Sequence, residues 1–211
     1  MITEFKLDPK RARSVGSNTY ISRSGDYLGT IELARLYESK NKATMLSLDF
    51  LSQNKEQANI LMCIYAKNGD ETFQKAILDS LMTVFKLRQT KAVQGRYKGK
   101  DGTEQTGLLL PDLMHKPVGL LLQNCPEEYM DQNGDIRVAN RLNLLTPFDP
   151  VTRQNAREIL DKVDATAVDA RLNTLKDKEL KKLNPQSQGF DNTSNPPPQS
   201  SGFGMEEDIP F

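Results

Sequence analysis

The chain has 211 residues, 28 Lys and Arg against 28 Asp and Glu, and an apolar fraction of only 37%. His115 is its one histidine and Cys63 and Cys125 its two cysteines, an inventory that excludes a His-based metal cluster, a cysteine zinc site and a disulfide framework. No apolar run approaches the roughly 20 residues that span a bilayer, and Met1-Ile2-Thr3-Glu4-Phe5-Lys6 is not a secretory signal, so the expected setting is a reducing cytoplasm with no membrane partner.

Residues 1–24 read as a polar, basic arm carrying Lys6, Lys10, Arg11, Arg13 and Arg23, with regular structure beginning at Gly25. Three strands are expected next. The first covers 27–37, with Ile31 and Leu33 on one face. The second covers 44–51, where Leu46, Leu48 and Phe50 alternate with Ser47 and Asp49; the third covers 58–66 around Ile60-Leu61-Met62-Cys63-Ile64-Tyr65. The period then becomes helical: Phe73, Ile77, Leu81, Val84 and Phe85 predict a helix from Asp70 or Thr72 to about Leu87, with Phe73 and Phe85 facing the core.

A polar, basic loop is predicted over 88–106, followed by strands over 113–123 and 136–145. Asp131-Gln132-Asn133-Gly134-Asp135 resembles the start of a calcium loop. Ile136 stands where the turn glycine belongs and Leu142 where the closing glutamate belongs, so the segment reads as a hairpin turn. Five short strands with a helix between the third and fourth predict a mainly β domain over 25–148 with the order of an OB-fold, a five-stranded Greek-key barrel. A five-strand α+β domain of another topology would read similarly. Asp149-Pro150 then predicts the start of a helical segment over 149–184, with Ala156, Leu160, Val163 and Ala167 on one face. This segment either packs on the barrel or serves as a partner helix.

After Asn184 the composition turns to Pro, Gln, Ser, Gly and Asn, which predicts a disordered linker over 185–204. From 185 to 211 there is no Lys or Arg, but there are Asp191, Glu206, Glu207 and Asp208. Because the chain is neutral overall, the body carries the matching positive excess and could attract a polyanion. The last residues, Met205-Glu206-Glu207-Asp208-Ile209-Pro210-Phe211, combine an acidic run with two apolar anchors and a terminal carboxylate. Such a tip can place a ring in a pocket and its carboxylate against a basic rim.

Glu206-Glu207-Asp208-Ile209-Pro210-Phe211 resembles the acidic tip of bacterial single-stranded-DNA-binding proteins, which ends Asp-Asp-Ile-Pro-Phe, and the linker is similar in composition. The close match covers only these terminal residues. The body has no Trp and a long segment after the barrel, and so looks more like the phage-encoded single-strand binders. The resemblance implies a non-enzymatic, cofactor-free protein that coats single-stranded DNA in replication, recombination and repair, in a bacterial host cytoplasm. It also implies that Glu206 to Phe211 dock partners of the polymerase, helicase, primase or nuclease class, and it leaves room for homo-oligomers. The alternative is an interaction protein that mimics the tip and binds no DNA; a strand-annealing mediator is a third reading.

Binding a single strand needs cations for phosphates and flat side chains for bases. One stretch offers both, Lys86 at the end of the predicted helix and Arg88, Lys91, Arg96, Tyr97, Lys98 and Lys100 in the basic loop, with Tyr97 lacking any obvious core to join. Arg35, Tyr37 and Lys42 around the first strand, and Tyr65 and Lys67 at the end of the third, are further candidates; each tyrosine could face groove or core. No phosphate loop and no catalytic constellation stands out, so no enzyme activity and no cofactor are expected.

Overall fold

The computed structural model describes residues 20–99, 102–131 and 133–183. The elements are β1 (Gly25–Glu38), β2 (Thr44–Ser52), β3 (Gln57–Tyr65), α1 (Phe73–Val84), β4 (Val93–Lys98), β5 (Glu104–Leu109), β6 (Pro117–Met130), β7 (Ile136–Phe148), α2 (Ala156–Asp161) and α3 (Ala167–Thr174), with a 3-10 turn at Pro111–Leu113. The strands form one antiparallel sheet of seven, accompanied by these few short helices.

β1 is the hub. One of its edges pairs with β2, from Gly29↔Ser52 to Glu38↔Thr44. The other edge is shared: Gly25 to Thr30 pair with β6, and Arg35 and Leu36 pair with β5. β2 continues to β3, and β6 to β7. β3 and β7 approach one another but share no strand ladder among the described residues. Tyr20 and Ile21 lie there instead, with the Ile21 amide donating to Gln57 O at 2.9 Å. Ile21 is buried in the core.

The register of β1 shifts between Ile31 and Leu33. A bulge inserts one residue and reverses which side chains face the core. Ile31 therefore points inward, as do Ala34 and Leu36 beyond the bulge, while Leu33, Arg35 and Tyr37 turn to the other face. The expectation that Ile31 and Leu33 share a face is corrected by this one extra residue. The core joins Leu46, Leu48 and Phe50 of β2 to Ile60, Met62 and Ile64 of β3 and to Leu120, Leu122 and Leu144. Each such side chain contributes about 1.5–3 kcal/mol on burial. Gly119 pairs with Phe148, and a Cβ there would sit 2.1 Å from the Phe148 ring, so only hydrogen fits.

Thr72 caps α1, accepting from the Gln74 amide, and its own hydroxyl bonds Cys63 O, tying the helix start to the end of β3. Leu78, Leu81 and Val84 face inward, and the helix packs on β3, β7 and α2. Phe85 packs against the core as expected. Phe73 does not: it is 80% exposed, because it sits at the margin of a stripe centred on Leu81.

Three further expectations need correction. The loop over 88–106 is replaced by the β4–β5 hairpin, which runs on to Leu109 and which the sequence hides because Gly95 and Gly107 occupy positions where a strand's alternation would show side chains. β6 runs on to Met130, through residues read as a connection, and Asp131 then closes the hairpin by accepting from the Asn133 and Asp135 amides at 2.9 and 3.0 Å. Asp149 does not start a helix. Its carboxylate caps a turn, accepting from Val151 and Thr152 N–H at 2.8 Å each.

The helix after that turn begins at Asn155, whose side chain forms a reciprocal capping box with Glu158. Leu160 and Val163, expected on the packed face, are exposed, while Glu158 is buried. Burial alone would raise the Glu158 pKa, but N–H donors from Thr166, Asn155 and Ala167 outweigh it and hold the carboxyl below its ordinary range. Arg153 fastens this region to the sheet, reaching Asp26 at 3.0 Å and Asp169 at 2.6 Å while lying over the Phe148 ring. Beyond α3 the chain is extended: residues 176–183 run parallel to β6, with bonds from Lys178 N to Asn124 O and from Lys181 N to Pro126 O. No helix among the described residues is long and apolar enough to cross a membrane.

Candidate nucleic-acid interface

The face of β1–β3 turned away from the core carries Leu33, Arg35 and Tyr37, then Ser47 and Asp49, then Asn59 and Leu61. The β4–β5 hairpin stands beside this face and adds Tyr97, Lys98, Gly99 and Gln105. Together they line a hollow of about 460 Å³. Arg35 lies between two rings: its guanidinium carbon is 5.1 Å from the Tyr37 centroid and 5.0 Å from that of Tyr97. It also donates from Nη1 to the Tyr97 hydroxyl, which donates in turn to Gln105 Oε1 at 2.8 Å. Each cation–ring contact is worth about 0.5–2 kcal/mol, and together they hold both rings in place. Gly107 permits this packing, since a Cβ there would come within 3.2 Å of the Tyr97 ring. Arg35 Nε is buried with no hydrogen-bond partner among the described residues.

A second hollow, of about 520 Å³, opens at the seam between β3 and β7. Tyr20, Gln57, Tyr129, Arg141 and Asn143 are among its lining residues, and it shares Asn59 and Leu61 with the first. The two hollows adjoin at these residues, a trough with Tyr37 and Tyr97 lining one part and Tyr20 and Tyr129 the other. Tyr20 is 67% and Tyr129 41% exposed, unlike a packed ring. Arg141 pairs with Glu127 across the β6–β7 hairpin. Cys125, opposite Arg141 in the ladder, has its thiol pushed up by burial and stays protonated at neutral pH.

Arg35, Tyr37, Tyr97 and Lys98 are thus brought together. Arg96 alternates with Tyr97 and reaches Glu104 at 3.7 Å, an exposed pair of little energetic consequence. Lys42 and Lys67 line a separate shallow hollow beside Cys63. Tyr65 is half-buried and packs against the core. Lys86 lies beside Asp149 and Lys162, apart from the trough, and Arg88 and Lys91 are exposed in the connection to β4. Lys100 and the tip, Glu206, Glu207, Asp208, Ile209, Pro210 and Phe211, lie outside the described residues.

Sequence reasoning missed Tyr20, Asp49, Asn59, Tyr129 and Arg141 as trough residues. Asp49 was legible as the outward partner of Leu48 and Phe50. Tyr20 and Tyr129 sat in segments read as arm and connection and gave no such signal. Among the described residues, no three His, Cys, Asp or Glu side chains converge as a metal site. No protein-family model matches the chain, and no curated protein matches its sequence.

Proposed function

We propose that this protein is a sequence-nonspecific single-stranded-DNA-binding protein, without enzymatic activity, that coats and protects DNA during replication, recombination and repair in a bacterial cytoplasm. The observation that carries the reading is the trough, with Arg35 between Tyr37 and Tyr97 in one part and Tyr20 and Tyr129 in the other. Exposed rings offer stacking platforms at about 1–3 kcal/mol per base, and this needs no particular sequence. Arg35, Lys98 and Arg141 along the trough supply cations for phosphates. The strand order β3-β2-β1-β6-β7, with α1 after the third strand, supports an OB-type barrel, the β4–β5 hairpin being an insertion. The C-terminal resemblance supports a tip that recruits replication and recombination enzymes.

The test is fluorescence anisotropy of a labelled mixed-sequence strand, titrated with the full chain and with residues 1–183 at several salt concentrations. Both proteins should bind. With about three phosphates neutralised, log K should fall with log salt at a slope near −2. Deleting Phe211 should abolish partner recruitment and leave strand binding intact. No binding by either protein overturns the proposal in favour of an interaction protein that only mimics the tip.

A further inference from the structure

The centre of the trough is polar and carries a negative charge. Asp49 on β2 stands opposite Asn59 on β3 in the ladder. The Asn59 amide nitrogen donates to Asp49 Oδ1 at 2.6 Å and to Ser47 Oγ at 3.0 Å. A carboxylate can only accept, so the nitrogen of the amide must face it, and both of its N–H groups are then engaged. What Asn59 has left to offer is its carbonyl oxygen, and Asp49 keeps its second carboxylate oxygen. No Lys or Arg forms an ion pair with Asp49 among the described residues. Asn59 lines both hollows and Asp49 the first, so these acceptors face the trough where its two parts adjoin.

We infer, on the footing of the proposed single-strand binding, that Asp49 and Asn59 read base edges and give the trough a graded preference for bases bearing amino groups over thymine. A carboxylate at mid-groove repels phosphate, so the backbone is held by the flanking cations and the bases turn inward over Asp49. There the paired acceptors meet N–H donors on cytosine N4, adenine N6 or guanine N1 and N2. Thymine presents a single imide N–H between two carbonyl oxygens, which the acceptors repel. Coating still needs no sequence motif, because stacking supplies most of the affinity; the acceptors only bias which bases sit at the centre.

Oligo-dC and oligo-dU of equal length isolate the effect, since they differ at the base edge and share ring size and lack the thymine methyl. At neutral pH and fixed salt, the full-length protein should bind oligo-dC about five- to tenfold more tightly than oligo-dU, the scale of one good edge contact. Asp49→Asn replaces an acceptor by a donor at nearly constant shape and should bring the ratio to one or below. Asn59→Ala, which releases Asp49 from its clamp, should lower the ratio in part and serves as a second variant if the first folds poorly. Equal binding of the two strands by the wild type, or an unchanged ratio in both variants, overturns this inference and leaves single-strand binding standing. Failure to bind either strand overturns both.

Discussion

The two faces of β1, β2 and β3 are built from the same residues taken alternately, yet they answer to different demands. The inner face is Ile31, Ala34, Leu46, Leu48, Phe50, Ile60 and Met62, all buried. The outer face is Leu33, Arg35, Tyr37, Asp49, Asn59 and Leu61, which line the trough, with Ser47 buried among them. On the inner face a side chain is defined by the volume it fills. On the outer face it is defined by the charge, ring or acceptor it presents. Stability and binding should therefore separate by parity along each strand, except at the register shifts, at Glu32 in β1 and between Cys63 and Tyr65 in β3.

The sharpest way to break this division is to cut into the inner face. Leu48→Ala should cost about 2–5 kcal/mol and lower the thermal midpoint markedly, as read by circular dichroism melts, with strand binding changed only through unfolding. A buried polar group should behave like the inner face. Glu158→Gln removes a carboxylate that satisfies several amides and should cost about 1–3 kcal/mol. Because the folded pKa of Glu158 is depressed, its contribution is present above the ordinary glutamate value and lost as pH falls through the folded value. Wild-type stability should thus decline below about pH 4.3, and the Gln variant should show a shallower decline in urea melts across that window.

On the outer face the effect should move from stability to affinity. Arg35→Ala releases both rings and should weaken strand binding about tenfold by anisotropy, with a smaller change in midpoint than Leu48→Ala gives. Least of all should come from Phe73→Ala. Phe73 was expected in the core but is exposed, so its loss should shift stability by no more than about 0.5 kcal/mol.

The sequence made the inner face legible because burial imposes a period, as at Leu46, Leu48 and Phe50, and the same logic exposed α1 through Leu81 and Val84. The β6–β7 turn was legible from its Asp-x-Asn-Gly chemistry. What escaped detection lacked a period. The β4–β5 hairpin has glycines where its alternation would show, and the bulge in β1 depends on pairing with β2. Half of the trough was foreseeable, since Tyr97, Lys98, Arg35 and Tyr37 combine ring and charge. Tyr20, Tyr129 and Arg141 join it only because the chain brings distant segments to the seam between β3 and β7.

The extended segment at 176–183 bears on where this protein could be cut. Strand count alone would end the folded unit at Phe148, or at the close of α3. Either cut would strip β6 of the backbone that now satisfies Asn124, Pro126 and Glu128. A sheet margin with bare amides and carbonyls is a template for pairing with other chains. A fragment ending before Lys176 should therefore self-associate on concentration, whereas one ending at Leu183 carries its own shield. The minimal autonomous piece is set by a segment with no helix, no ladder-length strand and almost no buried side chain.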